Sequence, residues 1–255
     1  MTHAKMSVPI LTYHSIDDGG SIISTDPKVF SRQMQHLKSE GYKSITLGEM
    51  ARQQSAGDAF SERTVVLTFD DGFRNFYTEA FPILQAHGFS ATVFLVTDLC
   101  GLHNDWSGNP PDLRRSELLS WKEIRELDAH GIEFGSHTRT HPDLTRLSHQ
   151  QIANEMVDSK AEISDRLGHD VTTFAYPYGR LNSEARRIAL ENYQASCSTN
   201  LGKVAAGDDL ASLNRIDTYY ISNPRLFEML PSAAFENYLR LRQAMRRVRT
   251  VFAGH

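Results

Sequence analysis

Val65-Val-Leu-Thr-Phe-Asp70-Asp71-Gly72 is an apolar stretch that ends in two adjacent carboxylates and a turn glycine. Its apolar and β-branched residues predict a strand, and the glycine predicts a turn directly after that strand. Two neighbouring acids repel each other unless a cation or a proton relieves the repulsion. Taken alone, the acidic pair also fits an exposed Asp-Asp-Gly turn, so its meaning depends on the rest of the chain.

Similar short apolar runs recur along the chain and alternate with longer amphipathic stretches. They predict seven strands, over residues 8–14, 65–70, 91–96, 132–137, 173–177, 195–199 and 214–219. Helices are predicted over residues 26–40 and 148–167. Asp26-Pro27 and Ser148 are typical helix starts, and Gly41 and Gly88 lie where helices should stop. The alternation indicates repeated βα units.

Repeated βα units in a chain of 255 residues predict one α/β domain with a parallel sheet. We favour a closed, irregular (β/α) barrel over an open, doubly wound sheet. The predicted barrel domain covers residues 1–225. Residues 101–113 form a long loop, and such loops in compact domains often border sites.

The remaining segment, residues 226–255, is predicted as an amphipathic basic helix. Its apolar stripe consists of Tyr238, Leu241, Met245, Val248 and Phe252, and the flanking cations are Arg240, Arg242, Arg246, Arg247 and Arg249. In one interpretation the stripe packs on the barrel. In the other it makes peripheral contact with anionic lipid.

Composition excludes several classes of protein. With 40% hydrophobic and 23% charged residues the chain is globular, and a net charge of −4 at pH 7 is no electrostatic reason to expect a nucleic-acid partner. No apolar run approaches the roughly 18 residues of a transmembrane helix. No secretory signal is visible, and Cys100 and Cys197 fit free thiols, so we expect a cytoplasmic protein.

A pair of histidines lies at and just after the end of the predicted strand at 132–137. His137 and His141 are four residues apart, a spacing at which two imidazoles can share one metal ion, although the pair alone also fits solvated side chains. With one carboxylate of the Asp70-Asp71 pair they make a three-ligand site that leaves positions open for water and substrate. The other carboxylate is then available as a general base. This combination predicts hydrolysis of an amide or an ester.

Three motifs together resemble a known family. Thr68-Phe-Asp-Asp-Gly72, Ser136-His-Thr-Arg-Thr-His141 and Phe174-Ala-Tyr-Pro-Tyr-Gly179 are similar, in order and spacing, to the main motifs of the polysaccharide deacetylases. This is the NodB homology family, or carbohydrate esterase family 4. The resemblance spans roughly residues 8–220. It implies an irregular barrel of seven or eight strands, metal-dependent deacetylation of an N-acetylated sugar, and no organic cofactor.

The resemblance also implies roles for individual residues. Asp70 would be the general base, and Asp71, His137 and His141 would hold the metal. Zinc is the default metal, although such a site also accepts cobalt, nickel, manganese or iron.

The third motif and one tryptophan supply the candidate substrate contacts. The resemblance assigns the backbone N–H of Tyr178 to the oxyanion, and Tyr176, Pro177 and the Tyr178 ring to the sugar. Trp121 resembles the aromatic position of a further family motif. Tyr-Pro-Tyr-Gly also fits a rigid strand-to-loop corner, and Trp121 also fits simple packing.

The chain departs from the family pattern at two places. Ala175 stands where the family usually has an arginine that positions the catalytic aspartate, so another group must orient Asp70. No Leu-x-His motif supplies an acid near the C-terminus, where the chain has Leu213-Asn-Arg-Ile-Asp217. His14, at the end of the first predicted strand, is the replacement acid we expect, as in the poly-N-acetylglucosamine branch of the family. A packed histidine is the alternative.

We therefore expect an N-deacetylase acting on an N-acetylhexosamine-containing polysaccharide or lipid-linked saccharide. A deformylase, or another C–N hydrolase of a small amino sugar, would use the same chemistry. A non-catalytic glycan-binding relative is the remaining alternative, although such a protein has no need of Asp70, Asp71, His137 and His141 together.

Overall fold

The computed structural model describes residues 7–109 and 113–252, with side chains as far as Arg246. The strands in these residues are β1 (Ser7–Val8), β2 (Ile10–Tyr13), β3 (Lys43–Ile45), β4 (Thr64–Phe69), β5 (Thr92–Leu95), β6 (Glu133–Ser136), β7 (Thr173–Ala175), β8 (Ala195–Leu201), β9 (Val204–Ala205) and β10 (Leu213–Asp217). All strands of the main sheet run parallel. The predicted α/β class is confirmed.

The main sheet closes into a barrel. Its order is β2-β10-β8-β7-β6-β5-β4, and β4 pairs back with β2, with Ile10 opposite Val66 and Tyr13 opposite Phe69. These are the seven strands that the apolar runs predict. The sequence did not predict β3, which pairs with the first half of β4, or the antiparallel β1–β9 ribbon. Each of these is only two or three residues long and lacks an apolar run.

The helices surround the barrel. They are α1 (Pro27–Ser39), α2 (Leu47–Ala56), α3 (Phe81–His87), α4 (Trp121–Ala129), α5 (His149–Ala153), α6 (Ser159–Leu167), α7 (Ser183–Asn192), α8 (Pro224–Glu228) and α9 (Ala233–Phe252). Asp26 caps α1 as predicted, because its carboxylate accepts the backbone N–H groups of Lys28 and Val29. The helix predicted over 148–167 consists of α5, a π-helical turn and α6.

Strand alternation divides the core into two layers. Leu11, Leu67 and Val93 belong to the large cluster under the helices, whereas Ile10, Val66 and Phe94 belong to a second cluster inside the barrel. Leu47, Met50 and Ala51 of α2 join this second cluster. Helix α2 therefore closes the end of the barrel where the strands begin, which leaves the opposite end for a site.

Helix α9 packs on the barrel through a different face from the predicted stripe. Phe235 and Leu239 are buried in the large cluster, while Leu241 and Met245 are 61% and 44% exposed. Tyr238 is half-buried against the same cluster. The side chains of Val248, Phe252, Arg247 and Arg249 lie outside the described residues. Among the described helices, none has the length and apolar character needed to cross a bilayer.

Candidate metal centre and active site

The motif residues meet at the end of the barrel where the strands finish. His14 follows β2, Asp70 and Asp71 follow β4, His137 follows β6, and the Tyr176–Tyr178 corner follows β7. Parallel strands of a closed barrel end on one face, so residues far apart in sequence are brought to one place. Asp70, Asp71, His137 and His141 are all buried.

Asp71, His137 and His141 form a compact group of three ligand atoms. The Asp71 Oδ1 atom lies 3.4 Å from each imidazole Nε2 atom, and one ligand atom from each residue falls within 4.8 Å of the others. The His137 Nδ1 atom lies 2.7 Å from the carbonyl oxygen of Ala175 and donates to it, which leaves Nε2 as a lone-pair donor. Tetrahedral zinc with N and O ligands separates those atoms by about 3.3 Å. The three residues therefore fit a divalent metal ion.

The backbone of the site is held in an uncommon conformation. The non-glycine residues with positive φ in the described chain are Asp71 (72°), Thr138 (71°), His141 (61°) and Tyr178 (58°). Such a conformation costs on the order of 1 kcal/mol per residue and persists where the surrounding structure requires it. All four residues lie in the three motifs. This strain is concentrated at the candidate metal ligands and at the Tyr178 turn.

We call Asp71, His137 and His141 the triad. The charges of these three side chains suit a metal ion. Burial would raise the pKa of Asp71, but the two imidazoles outweigh it and hold that pKa well below its usual range. Burial lowers the pKa of His141, so this imidazole is neutral and able to ligate. Burial would also lower the pKa of His137, but Asp71 and Asp70 raise it, so metal binding there would displace a proton.

Asp70 has a separate partner, Arg215 of β10. Two guanidinium nitrogens of Arg215 donate to the two Asp70 oxygens at 2.7 Å each, and its Nε atom donates to the Ser198 carbonyl at 3.0 Å. Burial would raise the pKa of Asp70, but Arg215 lowers it overall. Arg215 thus occupies the role left open by Ala175. The sequence analysis did not identify Arg215 as the partner of Asp70, although it quoted this residue within the strand Leu213-Asn-Arg-Ile-Asp217.

His14 lies beside Asp70. Its Nε2 atom is 3.8 Å from Asp70 Oδ2, and its side chain is 22% exposed. It is therefore next to Asp70 and accessible from the mouth of the barrel. Tyr13, its neighbour, points the other way into the helical layer, where its hydroxyl donates to Gln33.

Two aromatic rings flank His141. The Tyr178 ring lies 4.7 Å from it and the Trp106 ring 4.6 Å, measured between ring centroids. The Tyr178 hydroxyl also donates to the Ser107 carbonyl. The predicted loop over residues 101–113 therefore borders the site, although residues 110–112 lie outside the described residues. The sequence analysis did not single out Trp106.

The other predicted substrate contacts have different surroundings. Tyr176 is fully buried and its hydroxyl donates to the Ala211 carbonyl, while Pro177 is buried at the corner. Trp121 begins α4, and the Arg166 guanidinium lies 4.5 Å from its ring centroid. These contacts place Trp121 in the helical layer, and Trp106 is the tryptophan in contact with the triad.

Comparison with known proteins agrees with the site. A family model described as polysaccharide deacetylase matches residues 57–194, which contain the triad and Asp70 but neither His14 nor Arg215. YxkH of Bacillus subtilis (strain 168) is 32% identical over 217 residues, or 84% of this chain and 72% of the relative. A poly-beta-1,6-N-acetyl-D-glucosamine N-deacetylase of Staphylococcus aureus (strain MRSA252) is 28% identical over 170 residues, or 63% of this chain and 56% of the relative.

Solved structures extend the comparison. The Streptococcus pyogenes deacetylase PplD, solved in complex with acetate, superposes with a TM-score of 0.73 at 32% identity, covering 84% of this chain and 93% of that chain. IcaB from Ammonifex degensii has the same fold, with a TM-score of 0.73 at 21% identity, covering 90% of this chain and 97% of that chain. The matches in sequence and fold extend well beyond the three motifs. The chain belongs to the polysaccharide deacetylase family.

Proposed function

We propose that the protein is a metal-dependent N-deacetylase of an N-acetylhexosamine-containing polysaccharide or lipid-linked saccharide. The observation that carries the proposal is the division of the acidic pair. Asp71 faces two imidazoles, while Asp70 is paired with Arg215 and does not need to ligate. A glycan-binding protein without catalysis has no use for this arrangement.

The residues divide the chemistry among them. A divalent metal held by Asp71, His137 and His141 would act as a Lewis acid toward the acetyl carbonyl and make water a better nucleophile. Asp70 takes the proton from the attacking water, and Arg215 keeps its carboxylate ionised and oriented. The backbone N–H of Tyr178 donates to the oxygen on which negative charge develops.

His14 completes the cycle as the general acid. The amine that leaves must gain a proton when the tetrahedral species collapses. His14 is the imidazole beside Asp70 that the proposed ligand set does not use. Its partial exposure allows it to exchange protons with solvent between turnovers.

The first experiment identifies the bound metal and the acyl group that is released. We infer zinc as the metal, and a site of one carboxylate and two imidazoles also accepts cobalt, nickel, manganese or iron. Metal analysis of the purified protein, followed by mass-spectrometric assay on acetylated and formylated amino sugars and oligosaccharides, tests both points. Release of acetate from N-acetylated glycans supports the proposal. Release of formate alone would make the protein a deformylase, and release of neither by metal-loaded protein would contradict both.

The exposed face of α9 supports a second, separate proposal. Leu241 and Met245 are exposed on a helix rich in arginine, so this face can meet anionic lipid while Phe235 and Leu239 stay packed on the barrel. Such contact would bring the enzyme to a lipid-linked saccharide. Flotation with anionic liposomes should recover the wild type and lose Leu241→Ser/Met245→Ser. Equal recovery of both proteins would end the membrane proposal.

A further inference from the structure

Strand β8 contains an irregularity next to the active site. Cys197 pairs with Leu213 and Leu201 pairs with Arg215, so two steps along β10 match four steps along β8. Ser198, Thr199 and Asn200 thus form a bulge, which we call the β8 bulge. Bulges re-aim backbone groups and occur often beside active sites.

One side of the β8 bulge supports two groups of the proposed mechanism. The Ser198 carbonyl accepts from Nε of Arg215, the residue whose other two nitrogens hold Asp70. Thr199 packs against Gly179, where an added Cβ would lie only 2.6 Å from the Thr199 backbone nitrogen. The turn that carries Tyr178 therefore rests directly on the bulge.

The other side of the β8 bulge is held by α9. Arg246 Nη1 donates to the Thr199 carbonyl at 2.6 Å. Gln243 accepts from the backbone N–H of Leu201 at 2.9 Å, and its amide donates to Asn200 Oδ1 at 3.1 Å. The Thr199 carbonyl is a backbone group that has left the strand ladder, so it needs such a partner.

We propose that Arg246 and Gln243 are positioning residues for Asp70 and Tyr178, acting through the β8 bulge. They fix the bulge in the conformation that presents the Ser198 carbonyl to Arg215 and seats Gly179 on Thr199. The inference rests on the proposed deacetylase function for its kinetic consequence. Its structural consequence, a bulge and Tyr178 turn held by α9, is independent of that function.

The test compares variants on one helix. Gln243→Ala/Arg246→Ala removes the hydrogen bonds from α9 to Thr199, Asn200 and Leu201, and each single variant is made in case the double variant does not fold. Arg246→Lys keeps a cationic donor. Arg240→Ala is the matched control, because Arg240 lies on the same helix with its side chain 78% exposed and forms an ion pair with Glu236 of that helix.

We expect kcat per bound metal to fall about tenfold in the double variant with KM unchanged, since small misplacements of reacting groups cost that much or more. Arg246→Lys should recover part of the loss, and Arg240→Ala should match the wild type. Hydrogen exchange, followed by mass spectrometry, should quicken over residues 196–202 and 176–182 in the double variant but not in the control.

The outcomes separate this inference from the proposed function. If the wild type deacetylates no glycan, the proposed function fails, and exchange over residues 176–182 still decides whether α9 holds the Tyr178 turn. Unchanged exchange there overturns the inference. So does a kcat equal to that of Arg240→Ala, or a loss confined to melting temperature and soluble yield, which would show a merely structural role.

Discussion

Asp70 and Asp71 are neighbours in the chain with different partners. In a regular strand two consecutive side chains point to opposite faces. Here the strand ends at Phe69, and the left-handed backbone at Asp71 (φ 72°) brings its carboxylate to the imidazoles while Asp70 stays on the inner face with Arg215. A single turn thus gives two identical side chains the different surroundings that the proposed ligand and base roles require.

This division predicts two separate phenotypes. Asp71→Ala, His137→Ala and His141→Ala should each lower bound metal and activity together, by at least about tenfold in metal affinity. Asp70→Asn should keep the metal and lower kcat by about 10² to 10⁴, because it removes the general base without removing a ligand. Metal content by mass spectrometry and kcat on one glycan check the prediction. Loss of metal from Asp70→Asn with retention in Asp71→Asn would reverse the two roles.

Arg215 carries a prediction about pH. Arg215→Met removes the largest influence that opposes burial at Asp70, so the pKa of Asp70 rises. A base with a higher pKa is protonated at higher pH, and the acid limb of kcat/KM should therefore shift to higher pH. Breaking a buried ion pair also costs about 3–5 kcal/mol of unfolding free energy. Arg215→Lys, which keeps the charge, should shift the limb less, and an unmoved limb in both variants would contradict the pairing.

His14 is tested by substrate choice. If it protonates the leaving amine, His14→Ala should keep metal and fold and lose about 10²-fold or more in turnover of an acetamide. It should lose much less on an acetate ester whose leaving group needs little protonation. The measurement is the turnover of both substrates by the wild type and by His14→Ala. Equal losses, accompanied by a lower melting temperature from the cavity left behind, would show a structural histidine.

At the scale of elements, the two ends of the barrel differ in function. The candidate site lies at the C-terminal ends of the strands, and helix α2 closes the barrel at their N-terminal ends. Glu133, at the start of β6, accepts from the backbone N–H of Gly48 in the first turn of α2 and from the hydroxyls of Thr92 and Thr173. One carboxylate therefore ties three strands to a helix N-terminus, where negative charge is favourable.

Glu133→Gln should weaken this connection. The loss of charge at the α2 N-terminus and of charge-assisted hydrogen bonds should lower the free energy of unfolding by about 1–3 kcal/mol, with bound metal and kcat unchanged. Urea unfolding measures this change in the free energy of unfolding. Glu49→Gln is the control, because Glu49 also lies in the first turn of α2 but its carboxylate accepts from Gln53 on the same helix. Equal stability of the two variants would contradict the role of Glu133.

For the whole molecule, barrel closure is what completes the site. The β2–β4 pairing sets His14 beside Asp70, and the β10–β2 and β10–β8 pairings bring Arg215 in from a position 145 residues away in sequence. The site thus draws on most of the strands. Binding a metal to it should stabilise the folded barrel as a unit.

Metal removal should therefore lower the melting temperature. A metal present at about 100 times its Kd contributes about 2.7 kcal/mol, which for a domain of this size corresponds to about 5–10 °C. Calorimetry with chelator and after metal is restored measures the shift. His137→Ala, which lacks a ligand, should show little difference between the two states. A wild type with the same melting temperature in both would contradict a metal bound by the triad.

The sequence alone determined the α/β alternation and the candidate site residues, while it favoured the barrel over an open sheet and the family resemblance implied it. Local signals were strong there: seven apolar runs with caps and glycine stops, an acidic pair at one strand end, and two histidines four residues apart. The sequence did not predict short strands such as β3, because three residues without an apolar run carry no periodic signal. This strand forms because it pairs with β4.

Only the tertiary structure decided which distant residues support those motifs. Arg215 reaches Asp70, Trp106 reaches His141, and α9 reaches the β8 bulge, and no spacing in the chain marks any of these contacts. The reason is physical. Local periodicity reports which face of an element is buried, whereas a side chain's partner depends on strand order, register and barrel closure, which are properties of the whole fold.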